Sequence, residues 1–384
     1  MRDAVIAMAV RSPIGRRKGS LAGTHSVDLS AAVLNALVEK AGIDPAIVDD
    51  VMWGCVGQAG EQASNIGRNA VLSAGWPVTV PGTTIERQCG SSQQAIHFAA
   101  ATVMAGQNDL VVAGGVENMT RIPLGTARVS GPGDPFSAQL LARVGATELN
   151  QGTGAEILAR RHNLSREWLD ELALESHERA AAAQDAGHFV EEIVSIATED
   201  GLFSADEGIR RATTMEKLAD LAPVFAEDGR MTAGNSSQIS DGSSAVIVTT
   251  SEKARELGLT PMVRIHSTAV VGADPIAMLD APGPATHKVL ARAGLSIDDI
   301  GTFEVNEAFA SVVGAWFADT GVSRDKVNPD GGAIALGHPL GGSGARIATT
   351  LIHRMLREGH RYGLHTMCEG GGMANATIYE NLRM

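Results

Sequence analysis

The sequence is poor in aromatic residues, in cysteine and in positive charge. Aromatic residues make up only 4% of the 384 residues, so a hydrophobic core must be packed mainly from alanine, valine, leucine and isoleucine. Three cysteines, far apart and odd in number, argue against a disulfide framework and favour a reducing compartment, which we expect to be the cytoplasm. A net charge of -13 argues against nucleic acid as a general partner.

The sequence also has no segment typical of membrane insertion. No apolar run approaches the roughly 18 residues that a transmembrane helix needs, and we expect no membrane partner. Basic residues at 16–18 lie in a predicted loop without an apolar segment after them, which disfavours a signal peptide. With 44% hydrophobic and 20% charged residues the chain has an ordinary globular composition, and its length predicts two or three domains.

Cys89 lies where an extended segment gives way to a helix. The β-branched stretches Val78–Val80 and Thr83–Ile85 predict strands, and the apolar stretch 95–105 predicts a helix buried on every side, which Gly106 ends. A cysteine at or just before a helix N-terminus has its thiolate favoured over its thiol by the helix dipole. A buried structural thiol is the alternative, because a catalytic cysteine needs a partner base elsewhere in the chain.

A candidate partner base stands near the other end of the chain. The stretch 331–344 predicts a strand and a glycine-rich turn that holds His338, with a helix from about Ala345. A histidine in a phosphate-binding loop is the alternative, which is disfavoured because the stretch fits no phosphate-loop or dinucleotide pattern. Cys368 follows, directly before Glu369 and three glycines, and Asn306 lies between the two regions.

The chain contains an internal repeat. Strand-like stretches at 4–10 and 263–271 are each followed by a helix, 29–40 and 285–292, that ends at an Ala-Gly pair. Strands alternate with helices in both halves, which predicts two α/β units of like topology. We interpret Cys55, in an apolar strand-like run, as a core residue.

An insert between the halves has a different sequence pattern. It begins with a loop-like stretch at 125–134 and then becomes helical, with Ser165 as an N-cap and Gly187 closing the main helix. The apolar face of that helix is interpreted as core packing. The stretch 243–248 predicts a strand that returns to the first half.

Taken in order, these motifs resemble the thiolase family, the acyl-CoA:acetyl-CoA C-acyltransferases. The resemblance covers essentially the whole chain and is carried by the turn at Cys89, Thr232–Ser237, Asn306–Phe309, Gly337-His338-Pro339, and Cys368 with its glycines. It implies an α/β thiolase fold of two similar βαβαβαββ halves packed as α-β-α-β-α layers, with an inserted, mostly helical loop domain. The implied ranges are 1–117 with 243–260 for the N-terminal half, 118–242 for the loop domain that covers CoA and substrate, and 261–384 for the C-terminal half.

The resemblance also implies a reaction. Cys89 would attack a 3-oxoacyl-CoA and carry the acyl group, with His338 as its general base. His338 and a water held by Asn306 would stabilise the leaving enolate, and Cys368 would serve as acid and then as base. The backbone N–H groups of Cys89 and Gly370 would form a second oxyanion hole. Glu307 is interpreted as a residue that fixes its loop.

Coenzyme A is the co-substrate that the resemblance implies, and we expect neither a metal nor a redox cofactor. The family's CoA-contacting positions fall on Arg210, Ser237, Ala233 and Gln151. Because CoA is a polyanion and the chain is acidic, we expect a local basic patch, formed by Arg210, Arg211 and Lys217. The expected partners are acyl-CoA and CoA, and the family suggests a homodimer or a homotetramer.

Three departures from short-chain thiolases bear on the substrate: Ser-Ser-Gln-Gln after Gly90, Asn150-Gln151-Gly152, and Glu369 after Cys368. They look more like degradative 3-ketoacyl-CoA thiolases, including those of actinobacterial lipid and steroid breakdown. Acetoacetyl-CoA synthesis by the same residues in reverse is an alternative, and so is a non-catalytic acyl-CoA-binding protein. The second cysteine, Cys368, disfavours a ketosynthase that uses a carrier protein. The presence of Cys89, Asn306, His338 and Cys368 together disfavours a catalytically inactive member of the family.

Overall fold

The computed structural model describes residues 2–129 and 131–383. Its strands are, in chain order, β1 (Val5–Arg11), β2 (Gly15–Arg16), β3 (Asp50–Gly54), β4 (Thr83–Ile85), β5 (Leu110–Asn118), β6 (Ile196–Thr198), β7 (Gly201–Phe203), β8 (Ser240–Thr249), β9 (Val263–Gly272), β10 (Thr302–Val305), β11 (Tyr362–Glu369) and β12 (Met373–Asn381). Its helices are α1 (Ser26–Ala41), α2 (Ile66–Ser73), α3 (Ser91–Met104), α4 (Thr126–Val129), α5 (Ala138–Val144), α6 (Gln151–Arg161), α7 (Arg166–Asp185), α8 (Met215–Ala219), α9 (Ser251–Glu256), α10 (Pro282–Ala293), α11 (Ala310–Thr320), α12 (Ala333–Leu336) and α13 (Leu340–Glu358). No helix within these ranges is long and apolar enough to cross a membrane.

The central sheet has the same strand order in both halves of the chain. Read outward from its middle, one half runs β1-β8-β5-β3-β4 and the other runs β9-β12-β11-β10. β1 and β9 join the halves by antiparallel pairing at Val5–Arg264 and Ile6–Val263. In place of a strand equivalent to β4, the second half has a single parallel bridge between Phe303 and Val327. The predicted internal repeat and the α/β fold class are therefore confirmed.

The helices lie in three layers around the two halves of the sheet. α3 and α13 share one apolar cluster with strands of both halves and so form the central layer. α1 and α2 pack on the outer face of the first half, while α10 and α11 pack on the outer face of the second. β8 shows that this part of the sheet is covered by helices on both faces. Val246 and Val248 face the central helices, whereas Ala245 and Ile247 face the outer ones. Because β8 is covered on both faces, its residues 245–248 form an apolar run without alternation.

The insert between β5 and β8 has an exposed part and a packed part. Residues 121–129 and 131–149 are mostly exposed, whereas α6 and α7 share the core of the second half. Ser165 caps α7 by accepting a hydrogen bond from the N–H of Trp168 at 3.0 Å, and Gly187 follows the end of the helix with φ 73°. The predicted helix and its core-facing side are confirmed; the domain boundaries stay a prediction.

Two predictions around Cys89 are wrong. Val78–Val80 is a turn, because the Arg68 guanidinium binds the carbonyl oxygens of Val78 and Val80 and so takes the acceptors that a strand partner would need. α3 begins at Ser91 and is not buried all round. Its Phe98 is 45% exposed, because only one side of α3 faces α13 and the sheet.

The prediction for the stretch around His338 is also wrong in part. Residues Ala333–Leu336 form the short helix α12 rather than a strand, and α13 already begins at Leu340. The glycines in the first turn of α13 allow close packing and do not form the predicted turn. A methyl group on Gly341 would lie 2.5 Å from the carbonyl oxygen of Val116. Cys55 is fully buried in the core of the first half, as predicted.

We predict that Gly115→Ala destabilises the protein, since a methyl group there would lie 2.2 Å from the Gly341 carbonyl oxygen and 2.6 Å from that of Gly54. Overpacking of this kind costs about 1–3 kcal/mol. Gly272→Ala in β9 is the matched control, because its methyl group would meet nothing within 4 Å. Thermal unfolding midpoints measure the difference. Equal midpoints for the two variants would show that α13 moves away from β5 at no cost.

Candidate active site

The structure brings the four candidate catalytic side chains to one place. Asn306 follows β10 and Cys368 lies at the end of β11, and these strands are parallel neighbours, so both side chains lie at the same edge of the sheet. Cys89 and His338 each precede the N-terminus of a central helix. Exposure is 6% for Cys89, 3% for His338, 1% for Asn306 and 0% for Cys368. The site is therefore shielded from water.

His338 is held in one tautomer by the first turn of α13. Its Nδ1 lies 2.6 Å from the hydroxyl of Ser343, and that hydroxyl donates to the carbonyl oxygen of Pro339 at 2.8 Å. Because the hydroxyl has a single hydrogen, it accepts from Nδ1–H, and this network assigns the free lone pair to Nε2. Burial, together with the positive charge of Arg346, lowers the pKa of His338 to about 3, so the imidazole is neutral.

Asn306 faces the free nitrogen of His338. Its Nδ2 lies 3.4 Å from His338 Nε2, and its backbone N–H donates to the carbonyl oxygen of Thr366. Its Oδ1 is buried and has no protein partner within the described residues. Glu307, next along the chain, accepts hydrogen bonds from Ser176, Asn328 and the N–H of Ile334, which agrees with a loop-fixing role.

The Cys89 thiol is protonated in the resting protein. Burial, reinforced by the carboxyl group of Glu369, raises the pKa of Cys89 to about 12. Apolar side chains surround it, among them Met119, Leu340 and Met367. The predicted preference for thiolate is therefore wrong, because burial outweighs the helix N-terminus. A base must take the proton before Cys89 can react.

Cys368 and Gly370 lie beside the Cys89 turn. Burial, with Cys89 and Glu369 as further causes, raises the pKa of Cys368 well above its usual value, so this thiol also keeps its proton. Gly370 begins the turn between β11 and β12, and a methyl group on it would lie 2.9 Å from Gln88 Oε1. The two segments thus touch where the second oxyanion hole is expected.

The candidate CoA residues are more dispersed. Ser237 donates its N–H to the carbonyl oxygen of Ala308 and so adjoins the Asn306 loop. Gln151 begins α6, Ala233 is exposed, and Arg210 is exposed with its N–H bound to His177. Other members of the expected basic patch are already engaged: Arg211 pairs with Asp185, and Lys217 donates to the carbonyl oxygen of Ala212.

Two polar residues at the site were missed from the sequence. Ser343 was assigned to a turn, and only a helix that starts at Leu340 shows that it reaches back to His338. Glu117, at the end of β5, accepts hydrogen bonds from the N–H groups of Val56, Gly57 and Gly341 and so anchors the start of α13. The available signal in the sequence was a single acidic residue, Glu117, at the end of an apolar strand. No three His, Cys, Asp or Glu side chains in the described ranges are grouped to hold a metal ion.

We predict that Ser343→Ala slows alkylation of Cys89 by iodoacetamide. Without the hydroxyl, Nδ1–H loses its acceptor and the neutral ring no longer favours a free Nε2. The alkylation rate should fall by about tenfold or more, and by no more than the roughly 10²–10⁴-fold that a general base contributes. Nitrogen-15 chemical shifts of His338 report the tautomer directly. Ser311→Ala is the control, since it removes a buried hydroxyl that has no partner; parent-like shifts in Ser343→Ala would contradict the assignment.

The chain is similar to known proteins over its whole length. The family descriptions "Thiolase, N-terminal domain" and "Thiolase, C-terminal domain" match residues 4–252 and 259–381. The chain is 50% identical over 388 residues to the steroid 3-ketoacyl-CoA thiolase FadA6 of Mycobacterium tuberculosis, covering 100% of this chain and 95% of the relative. It is 46% identical over 393 residues to a 3-ketoacyl-CoA thiolase of Erwinia tasmaniensis, covering 100% of both.

A solved structure is similar over the same extent. The crystal structure of the Bacillus anthracis acetyl-CoA acetyltransferase matches with a TM-score of 0.92 and 39% identity, over 100% of this chain and 99% of that one. The predicted fold and acyltransferase class are thereby confirmed. The chain belongs to the thiolase family.

Proposed function

We propose that this protein cleaves 3-oxoacyl-CoA with CoA, giving acetyl-CoA and a shortened acyl-CoA through an acyl group on Cys89. One observation carries the proposal: a neutral His338 with a free Nε2 lies in the same shielded site as two protonated thiols. Such a site can move a proton directly from one of its groups to another. The relatives' names support the same reaction class.

In the first half-reaction, His338 Nε2 takes the Cys89 proton and the thiolate attacks the 3-oxo carbon. The N–H groups of Cys89 and Gly370 hold the resulting oxyanion. The bond between C2 and C3 then breaks, and the enolate of acetyl-CoA leaves while the acyl group stays on Cys89. Protonated His338 and a water bound to Asn306 Oδ1 donate to the enolate oxygen, each donor being worth about 3 kcal/mol.

Cys368 completes the first half-reaction by giving its proton to the enolate carbon, so that acetyl-CoA is released and Cys368 becomes a thiolate. In the second half-reaction this thiolate takes the proton of the incoming CoA thiol. The CoA thiolate attacks the acyl group and releases Cys89 as thiolate, and His338 returns the first proton. The strongly raised pKa of Cys368 suits a group that must hold a proton until a basic carbanion forms.

Ser237, Ala233, Gln151 and Arg210 are the proposed CoA contacts, with residues 118–242 as the cover of the site. The hydrogen bond from Ser237 to Ala308 supports this by linking that segment to the catalytic loop. We propose a cytoplasmic location, which three cysteines free of disulfides support.

We propose that the reaction runs in the direction of degradation, on fatty-acyl or steroid substrates. FadA6, at 50% identity, is named a steroid thiolase. Condensation of two acetyl-CoA molecules is the second candidate, favoured by the acetyl-CoA acetyltransferase structure at 39% identity. Thiolysis rates on substrates from acetoacetyl-CoA to a steroid-CoA distinguish the two, because a rate confined to acetoacetyl-CoA would favour the second.

The proposed reaction is tested with single cysteine variants. Cys89→Ala should lose thiolysis while it still binds CoA, and rapid quenching of the parent should trap the acyl group on Cys89, as found by mass spectrometry. Trapping on Cys55 or Cys368 instead would overturn the assignment. A parent protein that binds acyl-CoA but never turns over would favour a non-catalytic relative.

Cys368→Ala separates the half-reactions. It should still accept an acyl group on Cys89 from a simple acyl-CoA, because that step moves no proton to or from carbon. Deuterium exchange at the methyl group of acetyl-CoA should fall by about 10²–10⁴-fold. Surviving exchange with failed acylation would reverse the roles of the two cysteines.

We also propose a homodimer formed at the β4 edge of the sheet; a homotetramer would be built from two such dimers. β4 is an end strand, and an unpaired strand edge is a ready site for association. Val78 nearby is 76% exposed and supports an apolar contact there.

Val78→Glu should therefore lower the sedimentation mass to that of the monomer. Val190→Glu is the control, because Val190 is 70% exposed but belongs to the insert between β5 and β8 and not to the segment before β4. A parent-like mass for Val78→Glu, or dissociation by both variants, would contradict an interface at β4.

A further inference from the structure

Glu369 is a buried acid that the reaction described above does not use. It is the last residue of β11, directly after Cys368, and it is fully buried. Neither of its carboxyl oxygens has a hydrogen-bond partner within the described residues. An isolated buried carboxylate is costly in free energy unless it is paired or protonated.

The carboxyl group lies against the turn that carries the nucleophile. A methyl group on Gly90 would lie 1.9 Å from Glu369 Oε1 and 2.8 Å from Asn375 Oδ1, so both oxygens adjoin Gly90. The Asn375 amide is oriented by its Nδ2, which donates to the Gly90 carbonyl oxygen at 3.4 Å. Its Oδ1 is buried and unpartnered, like the carboxyl oxygens. Two acceptors side by side are satisfied when the carboxyl group is protonated and donates to the amide oxygen.

The internal repeat provides a comparison within the same molecule. Asp50 pairs with Val111 and Thr302 pairs with Gly363, and this register makes Glu117 and Glu369 equivalent positions of the two halves. Glu117 accepts three backbone N–H groups and the amide of Gln62, an arrangement suited to a carboxylate. Glu369 receives none of these donors, so its environment favours the acid form.

The charged groups that face Glu369 are few. Arg87 and Glu86 face it from the turn before Cys89, Cys368 precedes it on its own strand, and β12 presents only the uncharged Met373 and Asn375. The Arg87 guanidinium is directed to the Met373 sulfur at 3.8 Å. Burial raises the pKa of Glu369 to about 8. The positive charge of Arg87 acts to lower this pKa, and the negative charge of Glu86 acts against Arg87.

We propose that Glu369 is a positioning residue that works as a neutral acid bound to Asn375, and that loss of its proton makes Cys89 and Cys368 unreactive. A carboxylate at this position puts a like charge beside either thiolate, which raises the free energy of the thiolate. Glu369, in the C-terminal half of the chain, thereby sets an upper pH limit on the reactivity of the two thiols. This inference deepens the proposed function, but the reactivity of Cys89 and the protonation of Glu369 are measured without turnover.

The test is the pH profile of Cys89 alkylation by iodoacetamide in the parent and in Glu369→Gln. The glutamine keeps a donor toward Asn375 and carries no charge. At pH 6 the two proteins should react alike, whereas at pH 9 the variant should react about tenfold faster, the effect of one pKa unit from a like charge. Glu86→Gln is the control: this exposed carboxylate is screened by water, and its glutamine still accepts from Gln88. Its profile should stay close to the parent's.

Two further readouts separate titration from a merely structural role. The difference spectrum of the parent minus Glu369→Gln should show the infrared band of a protonated carboxyl group near neutral pH, and this band should be lost above pH 8. The subtraction removes the band of Glu304, a second buried acid whose pKa burial raises to about 8. A raised pKa in the folded state also means that the stability contributed by Glu369 is complete below its unfolded pKa, near 4.3, and is lost as the pH rises through about 8. The stability of the parent relative to the variant should therefore fall across that range.

Superimposable alkylation profiles, or a parent without the protonated-carboxyl band, would overturn the proposal and make Glu369 a hydrated carboxylate. Should Glu369→Gln fail to fold, Glu369→Met also removes the charge and must show the same faster alkylation at pH 9. Loss of thiolysis with an intact Glu369 titration would count against the proposed function alone.

Discussion

The rest of the structure depends on backbone contact between the start of α13 and its neighbours. Side chains are absent at Gly115 and Gly341, so the first turn of α13 lies directly on β5, and Gly344 lets it approach α3. These contacts bring the residues before two separate helices together. The Glu117 carboxylate strengthens the arrangement, because it binds the N–H of Gly341 and two N–H groups of the loop after β3. Geometry of this kind tolerates no extra methyl group.

Burial then decides the charge state of the site. Both thiols keep their protons and the His338 imidazole is neutral, so each group starts uncharged. Charge arises only when a proton passes from one group to another within the site. Ser343 determines which nitrogen of His338 receives that proton. The site therefore depends on hydrogen-bond direction as much as on the identity of its reactive residues.

The fold class and the four central residues could be predicted from the sequence, because residues around Cys89, His338 and Cys368 stand in local patterns that leave few alternatives. The start of α13 could not, since a glycine indicates a missing side chain without telling a turn from close packing. The charge state of Cys89 could not either, because it depends on burial and on Glu369, far along the chain. Val78–Val80 has strand-forming residues, yet the Arg68 guanidinium takes the carbonyl groups.

The mirrored strand order has a consequence for the origin of the catalytic pair. Cys89 lies two residues before α3 and His338 two residues before α13, and these helices are the central-layer helices of the two halves. Nucleophile and base thus occupy the same position, once on each side of an approximate twofold axis. Two identical copies of one half would present the same residue on both sides, either two thiols or two imidazoles. Joining the copies in one chain allows the two positions to diverge, and the proton transfer from sulfur to nitrogen requires that divergence.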